Sequence, residues 1–315
     1  MNRLLRTVLW IFSGIGLVGG VLVVVISLFA GLATDGEMPS FGVIGGSVLL
    51  AAVELGVVVT AIRLTPLWPR AGAGYVVTSL LWGATVAPLL VFPLATASMD
   101  LPARLGLDLF EASWGGAYPE ETIKSLGVLI ILFSFRQLVR PWHGLATGVL
   151  VGIGFEVVEN AGYAVIGALY HPVSDMDGML EMWGLRMIAG PFLHVLFTGL
   201  VGWGIGVAVF TARRSFLWRV GTAALWIGVA FLAHFCWNIM HDDMKVALVA
   251  LVGIALVIYP LFIAVLVRAW RAARSDSGYV MLDRPVASVM QLDHRDFEVL
   301  SVGGHSRADG GGHKD

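Results

Sequence analysis

Charged side chains are scarce in this chain. Asp, Glu, Lys and Arg make up 13% of it, about half the share of an ordinary soluble domain, and that shortage excludes a water-facing fold over most of the length. The basic residues form no nucleic-acid-binding face. The formal net charge of −2 identifies no partner, because the two signs are segregated by loop. Cysteine is nearly absent: Cys236 stands alone, which excludes an intramolecular disulfide and a thiolate metal cluster, and it is expected to pack as a small apolar group. No His-Glu-x-x-His stretch occurs, so a simple zincin arrangement is missing too. No internal repeat is visible.

What is present is apolar. Hydrophobic residues make up 57% of the chain, and eight runs reach bilayer-crossing length, at about 8–33, 41–62, 73–97, 119–138, 144–168, 182–210, 216–240 and 246–269. The expected fold is all-α, a polytopic membrane protein of about eight transmembrane helices with both termini inside. The 39 glycines suit this class, because helices in lipid approach through small residues. Gly16/Gly20, Gly42/Gly46, Gly148/Gly152 and Gly202/Gly206 have the four-residue spacing that serves such contacts. Pro88 and Pro93 are tolerated within a membrane span.

Orientation follows from the basic residues. With the N-terminus inside, Arg3, Arg6, Arg63, Arg70, Arg136, Arg140, Arg213, Arg214, Arg219, Arg268, Arg271 and Arg274 fall on the inner side. Arg104 and Lys245 fall in outer loops, with Lys124 and Arg186 just inside the outer ends of spans, and the outer loops are acidic. That alternation is the positive-inside pattern. The first apolar run exceeds a signal-peptide core and is expected to stay as a signal-anchor helix. Three segments result: 1–118, with three spans and an outer loop; 119–270, a bundle of spans four to eight; and 271–315, a polar, glycine-rich tail expected to be disordered and cytoplasmic.

A few ionisable groups interrupt the spans, where each costs roughly 2.5–3.5 kcal/mol to insert. Span four opens with Pro119-Glu120-Glu121-Thr-Ile-Lys124, which reads as a helix start with acidic groups at the positive dipole end and a local ion pair to Lys124. Span five holds Glu156 and Glu159, three apart and therefore on one face, with Asn160 one turn beyond Glu156. Span six carries His194, with Arg186 two turns earlier near the outer interface. Span seven carries His234 and Asn238 at i, i+4. Glu54 in span two has no evident partner and is expected to be structural. Taken singly, each has an ordinary structural reading as a cap, a buried pair or a core histidine. Together, four spans present hydrogen-bonding or metal-ligating faces at one depth, the outer half of the membrane, and an intramembrane ionisable cluster marks a functional site. Carboxylates, imidazoles and an amide in one place suit hydrolysis, through an activated water or a base paired with an electrophile.

The stretches Glu120-Glu121-x-x-Lys124, Phe155-Glu156-x-x-Glu159-Asn160, His194-x-x-Phe197-Thr198-Gly199 and His234-x-x-Trp237-Asn238 resemble the motifs of the PrsW family of intramembrane proteases, distant kin of the CAAX-processing and bacteriocin-processing membrane endopeptidases. The resemblance covers roughly residues 115–245. It implies a multi-pass enzyme of the bacterial plasma membrane that cuts a membrane-anchored protein substrate within the lipid bilayer near the extracytoplasmic face, as in the first cut of an anti-sigma factor. Two mechanisms stay open. In one, His194, His234 and Glu156 or Glu159, with Glu159 as the expected third ligand, bind a divalent metal, zinc for choice, and Glu120 or Glu121 takes the proton of water. In the other a buried glutamate activates water without a metal, and His234 and Asn238 stabilise the oxyanion. A proton- or ion-coupled transporter relaying through Glu54, Glu156 and Glu159, and a non-catalytic scaffold, are the alternatives from other classes.

Overall fold

The computed structural model describes residues 3–33 and 39–276, and every regular element among them is helical. In chain order the α-helices are α1 (Arg3–Ala33), α2 (Phe41–Arg63), α3 (Ala73–Leu81), α4 (Ala87–Arg104), α5 (Glu111–Ser134), α6 (Pro141–Tyr170), α7 (Asp175–Ala189), α8 (Leu193–Phe210), α9 (Phe216–Trp237) and α10 (Met244–Ser275), with a short 3-10 turn, Asp108–Phe110, before α5. A π-helical turn, Trp82–Val86, joins α3 to α4 in one continuous rod.

Six helices are long and apolar enough to cross a membrane: α2, the α3–α4 rod, α6, α8, α9 and α10. Of the eight expected spans, α5 is not among the six, and it carries Glu120, Glu121 and Lys124. In α1 the apolar stretch is the shorter Thr7–Gly20. The molecule is a polytopic helical membrane protein, with six spans supported by length and composition. The expected tail from residue 271 begins inside α10, which runs on to Ser275; its remainder from 277 lies outside the described residues, as do the outer-loop acids Asp35 and Glu37.

Within the bundle, α6 and α8 are central. In α8, 89% of the apolar stretch is buried, against 6% in α10, so α10 presents its aliphatic surface to lipid. The two central helices meet through glycine. A methyl group on Gly144, Gly148 or Gly152 of α6 would lie 2.1, 2.1 and 2.4 Å from the carbonyl oxygens of Gly202, Thr198 and His194 of α8. Backbone therefore touches backbone along three turns, the close approach by which helices associate in lipid without a hydrophobic drive. The expected Gly148/Gly152 and Gly202/Gly206 pairs lie on this seam. The opposite side of α6 receives the α3–α4 rod, where Gly83 abuts the Val151 carbonyl. The π turn there also aims Trp82 at α5, and its indole donates to the Ile123 carbonyl at 3.1 Å.

One expected span is broken. The run 182–210 divides at Gly190-Pro191-Phe192, because proline has no N–H to continue the ladder and crowds the preceding turn; Phe192 takes a left-handed conformation, φ 60°. The first half, α7, starts under a Ser174 cap with Asp175 and Asp177 in its first turn, as the helix dipole favours. It folds back along the outer end of α6, with Met179 and Trp183 packed on Ala164, Ala168 and Val43. The Ser40 N–H donates to Asp175 at 3.1 Å, linking the starts of α2 and α7. The second half, α8, begins beside the polar residues of α5 and α6, and its far end is capped by Arg219, which donates to the carbonyls of Ala208 and Val209 at 2.7 and 3.3 Å.

Candidate active site

A helix that starts inside a membrane needs partners for its first N–H groups. The Glu156 carboxylate supplies one, accepting the His194 N–H at 2.7 Å. Glu156 thus fixes the start of α8, and with it the position of the His194 ring. That ring lies edge-on to Phe155, centroids 4.9 Å apart, and to His234, 5.2 Å apart. His234, on the last turns of α9, stacks on Phe197 at 5.1 Å and 15°.

From α5, the buried Lys124 ammonium reaches into the centre. It lies 2.7 Å from Glu121 Oε1, 3.3 Å from Glu120 Oε2 and 3.0 Å from His194 Nδ1, and stands 4.6 Å over the Phe155 ring. Lysine only donates, so His194 Nδ1 accepts and its Nε2 carries the hydrogen. That N–H points at Glu159 Oε2, 2.7 Å away. On the other side, His234 Nδ1 lies 3.0 Å from Glu121 Oε1. Each histidine is therefore held at one nitrogen by a carboxylate, a pairing that orients imidazoles in metal and hydrolytic sites. The remaining nitrogens converge on Glu120, with Oε2 3.6 Å from His194 Nδ1 and 3.9 Å from His234 Nε2.

Glu120, Glu159, His194, His234, Arg186 and Asn238 line a cavity of about 550 Å³. Its other walls include Met99, Met182, Leu185, Trp237 and Leu251, so an apolar chain entering from the bilayer would meet the polar cluster. Gly115 and Gly116 of α5 leave room on one side. Asn238 is the C-cap of α9 and its amide holds the Ala112 carbonyl at 3.5 Å. Glu121, Lys124, Glu156 and Asn160 stand behind this wall rather than in it.

Eight of the nine expected residues thus lie in or directly behind one cluster. Asn160 faces away, joined to it through Arg186. The two glutamates of α5, a plain helix start when read locally, occupy its centre, because α5 begins at Glu111, nine residues before Glu120. Glu159 does not stand with the histidines as an equal: it holds His194 from behind and is paired with Arg186. Two participants were not recognised as such from sequence. Arg186 bonds both Glu159 and Asn160 Oδ1 and stacks over Tyr163 at 4.5 Å. Glu54 accepts from Asn160 Nδ2 at 3.2 and 3.1 Å. The signal that could have found Glu54 was its own cost, a lone carboxylate in an otherwise apolar span.

The cluster fits a metal ion. Ligand atoms of Glu120, Glu121, His194 and His234 lie within 4.8 Å of one another and all four residues are buried. Glu121 Oε2 is fully buried and has no hydrogen-bond partner, an arrangement costly to leave unfilled, and two imidazoles with carboxylates form a hydrolytic donor set.

Comparison with known proteins agrees with this chemistry. A family model described as PrsW family intramembrane metalloprotease matches residues 71–266, which takes in the nine expected site residues and Arg186 but not Glu54. No curated protein and no solved structure matches the chain.

Proposed function

The chain belongs to the PrsW family of intramembrane metalloproteases, and from that premise we propose that it hydrolyses a peptide bond of a membrane-anchored protein near the extracytoplasmic face of a bacterial plasma membrane, with both of its own termini cytoplasmic. The observation that carries the reading is the meeting of Glu120, His194 and His234 on the polar wall of an otherwise apolar membrane cavity. Site-1-type cleavage of an anti-sigma factor is the physiological form that the family resemblance implies.

In this reading His194 through Nδ1, His234 through Nε2 and the unpaired oxygen of Glu121 would hold the metal, with the Lys124 ammonium giving up Nδ1 and staying on the two glutamates of α5, and zinc suits two imidazoles and a carboxylate. When bound, the ion supplies Lewis acidity and lowers the pKa of water. Glu121 thereby takes the place first expected for Glu159, whose task is to hold the His194 ring through Nε2–H. Glu120, the α5 carboxylate that meets the cavity, accepts the proton of the attacking water and returns it to the leaving amine, so water and the amide end as a carboxylic acid and an amine. Lys124 keeps the two glutamates of α5 from repelling one another. Asn238 presents its amide toward the oxyanion. The broken span places the start of α8 at the site, so the helix dipole adds positive potential where negative charge develops.

The test is reconstitution of the full chain in vesicles with single-span proteins from a bacterial membrane, followed by sequencing of new N-termini. Cuts at the outer ends of spans that appear with wild type and vanish with Glu120→Gln support the reading. The same cuts with both proteins, or no cuts with either, would sink it.

A further inference from the structure

Glu54 is the one carboxylate of α2, a helix with only 17% of its apolar stretch buried, and it lies outside the residues that the family model matches. A carboxylate there costs stability, yet it is 7% exposed and both its oxygens are used. The bonds from it run in one direction. Asn160 Nδ2 donates to both Glu54 oxygens, and Asn160 Oδ1 accepts from Arg186 Nε. Arg186 Nη2 donates to Glu159 Oε2, which also accepts from His194 Nε2. Every donor and acceptor along this path is forced. Arginine cannot accept, so Asn160 must turn its oxygen to Arg186 and its amide nitrogen to Glu54; lysine cannot accept, so His194 must carry its hydrogen on Nε2.

We propose that Glu54 is a positioning residue of the site, setting through Asn160, Arg186 and Glu159 the orientation of the His194 ring and the carboxylate that its Nε2–H meets. The physical content is that an unanchored Asn160 amide can rotate. Its oxygen then leaves Arg186, the guanidinium loses one of its two fixed partners, and the Glu159 oxygen it held is free to swing away from His194. The proposal rests on the reading of His194 as part of the hydrolytic site. Span two thereby becomes part of the machinery, although its glutamate does not line the cavity.

The test separates hydrogen bonding from charge. Glu54→Gln keeps a side-chain oxygen for the Asn160 amide; Glu54→Leu removes the acceptor and suits the apolar helix, and Glu54→Ala serves if the leucine variant does not insert. The full chain is labelled with ¹⁵N-histidine in detergent, and the His194 signals are identified by their loss in His194→Asn. Wild type and Glu54→Gln should show a His194 Nε2–H cross-peak protected from exchange with water, and Glu54→Leu should lose it while its thermal unfolding midpoint stays the same or rises. On a tagged single-span reporter that wild type cuts, kcat of Glu54→Leu should fall about 10–100-fold with KM unchanged, and Glu54→Gln should restore it. A protected His194 cross-peak in Glu54→Leu, or a cross-peak lost only in step with general unfolding, would overturn the proposal. Failure of the protease reading looks different: Glu120→Gln and wild type would then yield the same N-termini, whatever the His194 cross-peak does.

Discussion

Substituting Gly152 by alanine tests the link between packing and chemistry most directly. Gly152 lies on α6 against the first turn of α8, and a methyl group there would stand 2.4 Å from the His194 carbonyl oxygen, 2.8 Å from Val195 Cα and 2.9 Å from the His194 carbonyl carbon. All three are backbone atoms, so no side-chain rotation relieves the clash. Ordinary contact begins at 3.4 Å, and restoring it requires the start of α8 to move about 1 Å away from α6. That movement is applied to the residue whose ring is held at 3.0 Å by Lys124 and at 2.7 Å by Glu159. A misplacement of about 1 Å costs on the order of 100-fold in rate, or roughly 2.7 kcal/mol of transition-state stabilisation. The control is Gly162→Ala on the same helix, where an added methyl group meets nothing within 4 Å. Turnover of a reporter cut in vesicles, normalised to inserted protein, should fall about 100-fold for Gly152→Ala and stay near wild type for Gly162→Ala. Equal turnover of the two variants would refute the claim that the glycine seam sets the position of His194.

The two glutamates of α5 should behave differently. Glu120→Gln should lower cleavage by about 10²–10⁴-fold with bound metal retained, whereas Glu121→Gln should release the metal as well, read by elemental analysis of the purified protein. Chelation should silence wild type, and added zinc should restore it. Reporter fusions after Arg140 and Arg214 should be cytoplasmic and one at Asp175 external; a cytoplasmic Asp175 fusion would contradict the orientation. Outside the membrane, Ser40 holds the Asp175 carboxyl below the usual carboxylate range. Because that pKa is lowered by folding, the link between α2 and α7 is fully formed above a pH of about 4 and is lost as the pH falls through the lowered value. Hydrogen exchange at the Ser40 amide, corrected for its intrinsic rate, should keep its protection down to about pH 4 and lose it below, and Asp175→Asn should weaken that protection at neutral pH.

Much of the candidate site was legible in the sequence. Glu120, Glu121, Glu156, Glu159, His194, His234 and Asn238 stand out because a charged or strongly polar side chain inside an apolar run is costly, and their agreement in depth follows from counting residues along helices of known rise. The Gly148/Gly152 and Gly202/Gly206 pairs were legible for the same kind of reason, since spacing decides which small residues share a face. Spacing does not say what that face meets: a methyl group on Gly20 would find nothing within 4 Å, and on Gly42 and Gly46 it would meet the side chains of Met176 and Met179. The break at Gly190-Pro191-Phe192 carried a signal, a proline within a long apolar run, but the last eight residues of α7 hold one charge, Arg186, and lead straight into the apolar α8, so the run reads as continuous.

What sequence determined by itself was the class of molecule and the set of groups with chemistry to do: composition fixes the solvent, helical periodicity fixes the face, and helical rise fixes the depth. Which groups touch was decided only by tertiary structure. Glu120 and Glu121 are neighbours with identical side chains, yet one meets the cavity and the other sits behind it, because successive residues point about 100° apart around a helix and only packing says which direction is inward. Glu159 holds a histidine from behind, Glu156 caps a helix, and Glu54 reaches the site through Asn160 and Arg186. These roles depend on how α2, α5, α6, α8 and α9 lie against one another, and helix-to-helix placement in lipid comes from backbone approach at glycines and from polar bonds between distant residues, neither of which has a period along the chain.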